Sequence, residues 1–151
     1  MDLDALDEQI VAALRADARV SYADIGDRIG LSAPAVKRRV DRLRATGAIR
    51  GFTAVVDPAA LGWTTEAYVE LYCAPRTSPA AIRAVAARFP EIVSASTVTG
   101  EADALLHILA SDMKHFERVV EQISAERFVD RTKSTIVLSS LLRRAEATGL
   151  G

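Results

Sequence analysis

Only two residues, Gly30 and Leu31, separate two stretches of helical periodicity, and that short joint limits how the first third of the chain can fold. Ser21 opens the earlier stretch as an N-cap, with Asp24 three residues on as a weak capping box, and Ile25 and Ile29 recur on its inward side. Gly30 is placed to end it in a left-handed turn. Ser32 caps the next stretch almost at once and Pro34 is tolerated in its first turn. Val36, Val40 and Leu43 then form an inward stripe that Gly47 closes. Helices joined so briefly cannot turn back antiparallel; they cross steeply, as in a helix-turn-helix unit. Upstream, Asp4 as N-cap with Asp7 in the first turn predicts another helix, with Leu3, Leu6, Ile10 and Leu14 on one side.

Charge is uneven along the chain, although 20 acids against 19 bases leave a net of −1. Residues 1–27 hold seven acids and two bases, a net of −5, while residues 28–50 hold seven bases and one acid, a net of +6. The remainder is close to neutral. A basic block on an otherwise acidic chain is an electrostatic footprint. The outward positions of the helix from Ser32 to Thr46 are read as Ser32, Ala35, Lys37, Arg38, Arg39 and Arg42. Small residues at a helix start approach base edges, and cations along its exposed side reach bases and phosphates, a combination that suits the major groove. Arg39 borders the buried stripe and is equally placed to pair with an acid of the first helix. Arg44, in the last turn, complements the helix dipole.

Residues 49–56 are rich in β-formers and predict a strand leaving the helical unit, open to pairing with its counterpart in a second subunit. Asp57-Pro58 through Gly62 reads as a linker. The period then changes to two: Ala67, Val69, Leu71 and Cys73 alternate with Tyr68, Glu70 and Tyr72. Ser78-Pro79 starts a helix that Pro90 stops. Residues 91–98 are extended, Thr99 to Ala102 turn, and Asp103 to Ala110 return as a strand. Met113, Phe116, Val119, Val120 and Ile123 mark another helix, and Phe128 to Leu138 a last strand carrying Arg131 and Lys133 on one side. The order β-α-β-β-α-β is that of a ferredoxin-like unit. Tyr68, Tyr72, Leu105 and Leu109 leave the sheet's second face apolar, which implies a partner.

Several classes are disfavoured. No apolar run approaches transmembrane length, so no membrane role is expected, and the opening Met1-Asp2-Leu3-Asp4 carries acids where a signal peptide carries bases. The one cysteine, Cys73, pairs with nothing in the chain and fits a reducing cytoplasm. Two histidines are too few for a His-built metal site; His107 is read as a core or interface residue and His115 as solvated beside Lys114 and Glu117. There is no Gly-rich phosphate loop, nucleophile elbow or Cys pair, so neither an enzyme nor a bound cofactor is expected.

Leu3-Asp4 with Asp7, Asp17-Ala18-Arg19, Gly30-Leu31-Ser32, Arg38-Arg39-Val40, Arg42-Leu43 and Gly47-Ala48-Ile49 together resemble the N-terminal half of the Lrp/AsnC family. Residues 52–58 resemble that family's linking strand. Val98-Thr99-Gly100 followed by Asp103, and residues 134–138, resemble its C-terminal domain for regulation of amino-acid metabolism. The resemblance implies an α+β protein: a winged helix-turn-helix DNA-binding domain over 1–50, a linking strand and hinge over 51–62, a ferredoxin-like βαββαβ effector and oligomerisation domain over 63–140, and a C-terminal tail over 141–151. It also implies a sequence-specific transcription regulator of double-stranded DNA, cytoplasmic and associated with the nucleoid. Homodimers would form sheet to sheet and assemble into tetramers or octamers. A small effector such as an amino acid would lie between C-terminal domains, at Thr99, Gly100, Glu101 and Asp103 with Ser134 and Thr135 opposite. Backbone N–H groups at a Gly turn suit a carboxylate, and Asp103 suits an ammonium. Ala102 and Ala104 depart from the larger residues that many relatives carry there. The alternatives are an amino-acid sensor acting through protein contacts and a regulator without an effector.

Overall fold

Each helix of the N-terminal unit begins where a side-chain oxygen takes over an orphan backbone donor. The computed structural model describes residues 2–143 and divides into two compact units, with the boundary between Ala54 and Val55. Helix α1 spans Ala5–Ala16, α2 Tyr22–Ile29 and α3 Ala33–Ala45. Asp4 accepts the Asp7 N–H at 2.8 Å, and the Asp7 carboxylate accepts the Asp4 N–H in return at 3.4 Å, a complete capping box. Ser21 and Ser32 cap α2 and α3 by accepting from Asp24 and Ala35. Gly30 ends α2 at a φ of +73°, a conformation open to glycine without strain. Ile10, Leu14, Ile25, Val36, Val40 and Leu43 are buried together as this unit's core.

The joint between α2 and α3 presses against Gly26. The Leu31 N–H donates to the Gly26 carbonyl at 2.9 Å, and a Cβ placed on Gly26 would lie 2.2 Å from the Leu31 carbonyl oxygen. The absent side chain is therefore what lets the chain double back so sharply and set the start of α3.

Within one chain the segment expected as a strand over residues 49–56 finds no pairing partner: residues 51–57 have no regular secondary structure, and among the described residues the first unit contains no strand. A single strand without a neighbour has no ladder for its N–H and C=O groups. Phe52, Val55 and Val56 are left exposed. The expected linker folds instead into a 3₁₀ turn, Pro58–Leu61, capped by Asp57 through the Ala59 N–H.

The second unit runs β1 (Thr65–Cys73), α4 (Pro79–Ala86), β2 (Ile92–Thr97), β3 (Ala104–Ala110), α5 (Met113–Ser124) and β4 (Val129–Ile136). Its four-stranded antiparallel sheet has the order β2-β3-β1-β4. Ala67, Val69 and Leu71 of β1 lie opposite Ile108, Leu106 and Ala104 of β3, and all six pack with Ile82 of α4 and Phe116, Val119 and Ile123 of α5. Both helices thus cover one face. By the same register Tyr68, Tyr72, Leu105 and Leu109 point to the other face. The last strand ends at Ile136, two residues short of the expected Leu138. Of the tail expected over 141–151, residues 144–151 lie outside the described residues.

Gly26→Ala should destabilise the N-terminal unit by about 1–3 kcal/mol despite the better helix propensity of alanine, because the added methyl meets backbone that cannot swing away. Urea denaturation followed by circular dichroism measures this; a neutral or stabilising result would contradict the close approach.

Candidate functional site

Helix α3 presents one stripe away from its core: Pro34, Arg38, Asp41 and Ala45 are exposed along it, flanked by Lys37 on one side and Arg42 on the other. Of the residues expected to face a ligand, Ala35, Arg38, Arg39 and Arg42 line a common concavity with Leu31. Ser32 is exposed but its hydroxyl is occupied as the N-cap of α3. Lys37 points to the opposite flank, where its ammonium lies 2.5 Å from Asp41. That carboxylate raises the Lys37 pKa above its ordinary value. In the sequence Asp41 stands only as one acid against the basic total; the helix places it on the exposed stripe.

Two of the cations are committed to α1. The Arg39 guanidinium lies 2.6 Å from Asp4 and 2.8 Å from Asp7, and Arg42 lies 2.5 Å from Asp7. The Asp7 side chain is only 4% exposed, against 26% for Arg39 and 54% for Arg42. A carboxylate buried to that extent is stable only when paired, and here both its oxygens face a guanidinium. The cluster ties α3 to the first turn of α1, where the helix dipole also favours an anion. Arg39's hydrogen bond, followed by the Asp7 N–H, holds the Asp4 carboxyl below its ordinary value of 3.8. Arg38 has no acid partner among the described residues and stands at the centre of the exposed stripe.

The loop between β2 and β3 has two parts. Thr99, Gly100 and Glu101 are exposed, Gly100 at a φ of +111°, and their N–H groups have no hydrogen-bond partner among the described residues. Asp103 is anchored: its N–H donates to the Leu71 carbonyl at 2.8 Å and its Oδ2 accepts from the Cys73 N–H at 2.7 Å. Its second carboxylate oxygen accepts nothing among the described residues. Ala102 and Ala104 are buried, so their small size is set by packing at the sheet's end. Burial, then the Asp103 and Asp130 carboxylates, raise the Cys73 thiol above its ordinary value. Ser134 and Thr135 do not meet this loop within one chain. They lie opposite Val69 and Tyr68 on β4, on different faces of the sheet and away from the end where the loop emerges.

On the sheet's open face His107 lies 2.6 Å from Glu66 and stacks on Tyr68 at 4.7 Å between ring centroids. Burial would raise the Glu66 carboxyl, but the His107 and Arg143 hydrogen bonds outweigh it and hold it below the usual value. Arg131 covers the Tyr72 ring at 3.8 Å, and Lys133 pairs with Glu70. His115 is not solvated as expected. Its Nε2 meets Glu91 at 2.8 Å and its Nδ1 accepts from the Ser111 N–H at 3.2 Å, which ties the start of α5 to the segment before β2. Among the described residues no group of His, Cys, Asp and Glu side chains is arranged to hold a metal ion.

Comparison with known proteins matches both units. The profile of the AsnC-type helix-turn-helix domain covers residues 3–44, and that of the Lrp/AsnC ligand binding domain covers residues 66–147. The chain is 54% identical over 142 residues to the HTH-type transcriptional regulator Rv2324 of Mycobacterium tuberculosis, covering 94% of this chain and 96% of that protein. It is 33% identical to the leucine-responsive regulatory protein of Rhizobium meliloti, covering 91% and 90%. The solved feast or famine regulatory protein Rv3291c of M. tuberculosis, complexed with L-methionine, superposes with a TM-score of 0.87 at 30% identity, covering 96% of this chain and 98% of that one.

Asp7→Ala should cost about 2–3 kcal/mol, less than the 3–5 of a fully buried pair because Arg42 is half-exposed and rehydrates. Chemical denaturation of the full chain reads this, and a loss under 0.5 kcal/mol would show that the cluster does not organise the unit. Asp4 has a lowered folded pKa, so its contribution is full above about pH 4 and is lost as pH falls through the lowered value. Arg39→Met should flatten that acid limb in a stability-versus-pH series; an unchanged slope below pH 4 would contradict the assignment.

Proposed function

Because this chain belongs to the Lrp/AsnC family of helix-turn-helix transcription regulators, we propose that it reads double-stranded DNA through the exposed stripe of α3 and responds to an amino acid held at the β2–β3 loop. The observation that carries the reading is the division of labour on α3. Arg39 and Arg42 fix the helix on Asp7, and Arg38 is left without an acid partner among the described residues at the centre of the exposed stripe. Ser32 and Ala35 lie at the helix start where close approach to base edges needs small residues, and Lys37, Arg38 and the outer edge of Arg42 reach bases and flanking phosphates. Arg39 acts by holding the helix.

For the effector, the N–H groups of Thr99, Gly100 and Glu101 suit a carboxylate, and the second oxygen of Asp103 suits an ammonium. The relative solved with L-methionine supports this ligand class. Ser134 and Thr135 join the site only from a neighbouring domain, so the effector site is shared between subunits. The open sheet face, with Tyr68, Leu105, His107 and Leu109, is the dimer surface, and dimers assemble further into tetramers or octamers. Among the described residues no helix is long and apolar enough to cross a membrane. We place the protein in the cytoplasm, on the nucleoid.

With about three phosphate contacts per subunit, a dimer's affinity for DNA should fall with salt at a log–log slope of about −5. Arg38→Ala should weaken binding to a duplex enriched from a random library by about 1–3 kcal/mol with assembly unchanged. Fluorescence anisotropy reads both, and a flat salt dependence with unchanged Arg38→Ala affinity would move the interface elsewhere. An amino acid at 100 times its Kd should stabilise the protein by about 2.7 kcal/mol in a thermal melt. Asp103→Asn keeps an acceptor for the Cys73 N–H but removes the charge, and should abolish that shift. A shift that survives in Asp103→Asn would assign the ligand to another site.

A further inference from the structure

The geometry points to Asp41 as the residue that sets base preference on α3, an inference that rests on the reading of α3 as the DNA-facing helix. Asp41 is the one acid between Ala33 and Ala45, and it lies on the exposed stripe between Pro34, Arg38 and Ala45. Its side chain is 50% exposed, so burial does not explain it. Helix stability does not explain it either. Aspartate is a poor former in a helix interior. Its partner Lys37 is four residues N-terminal, the weaker of the two orders for such a pair, and an acid toward a helix C-terminus opposes the dipole. On a surface that must approach phosphates, a carboxylate also lowers affinity for every DNA sequence alike.

What a carboxylate adds is a group that can only accept hydrogen bonds. In the major groove it therefore favours a base edge that presents an amine donor, the N4 amine of cytosine first, and is repelled by the O6 and N7 acceptors of guanine. Its 2.5 Å contact with Lys37 also fixes that ammonium beside it, so donor and acceptor are offered as a pre-set couple. Asp41 thus trades general affinity for discrimination, while Arg38 supplies attraction.

The test is selection of duplexes from a random library by the full-length protein, followed by anisotropy on the enriched sequence. Wild type should enrich a cytosine at one position of each half-site and discriminate against guanine there by about 5- to 100-fold. Asp41→Ala should lose that preference while binding unrelated DNA equally well or more tightly. Asp41→Asn should move the preference toward adenine, whose N6 and N7 a carboxamide engages together. An unchanged enriched sequence in both variants would overturn the inference and leave the DNA-reading role of α3 intact. Uniformly weaker binding, with a lowered melting temperature, would reduce Asp41 to a structural role and overturn it as well. Failure of wild type to enrich any sequence would overturn the DNA reading together with it.

Discussion

A single buried carboxylate organises the N-terminal unit. Asp7 has left water almost completely, and an isolated charge in that position would cost several kcal/mol. Two guanidiniums of α3 compensate it, and they can do so only if α3 crosses α1 at one place and in one rotation. Because Arg39 and Arg42 are three residues apart, they fix the phase of the helix as well as its position. That phase decides which side chains face outward. The basic block therefore has two uses. Part of its charge neutralises the acidic first helix within the unit, and the part centred on Arg38 stays exposed, where the proposed DNA contact needs it.

Most of the helical unit was legible because its signals are local. Asp4, Ser21 and Ser32 cap, Gly30 stops, and the apolar stripes repeat at helical spacing. What escaped reading depends on pairing at long range. Asp7 occupies the same i, i+4, i+7 stripe as Leu3 and Ile10, so an acid on an apolar face was itself the clue to a buried ion cluster. Gly26, in mid-helix, needed the Leu31 carbonyl to explain it. Residues 49–56 have strand-forming side chains, but propensity cannot form a ladder without a neighbour. Lys114 and Glu117 beside it point His115 toward solvent, whereas its partner, Glu91, is 24 residues away.

The second unit shows how one sheet serves two surfaces. Alternation along β1 and β3 places Ala67, Val69, Leu71, Ala104, Leu106 and Ile108 against α4 and α5, and sets Leu105 and Leu109 with aromatic, charged and histidine side chains on the opposite face. The β2–β3 loop inherits its shape from that packing. Ala102 and Ala104 are buried and leave no room for larger side chains, and Asp103 is anchored by backbone on both sides. The exposed Thr99–Glu101 segment is thereby presented on a rigid base. The loop's turn residues are legible in the sequence, but the structural part of Asp103's work, its anchoring to Leu71 and Cys73, is not. Nor does the sequence show that Ser134 and Thr135 lie apart from the loop in a single chain.

If α3, held by Asp7, is the surface that meets DNA, binding must change its backbone first. Hydrogen exchange of the full-length protein, followed by mass spectrometry with and without a duplex enriched from a random library, tests it most directly. Protection on DNA addition should concentrate in peptides covering residues 31–46, with the α1 peptides around Asp7 already slow to exchange in the free protein. Protection elsewhere in the chain, with residues 31–46 exchanging as before, would contradict it.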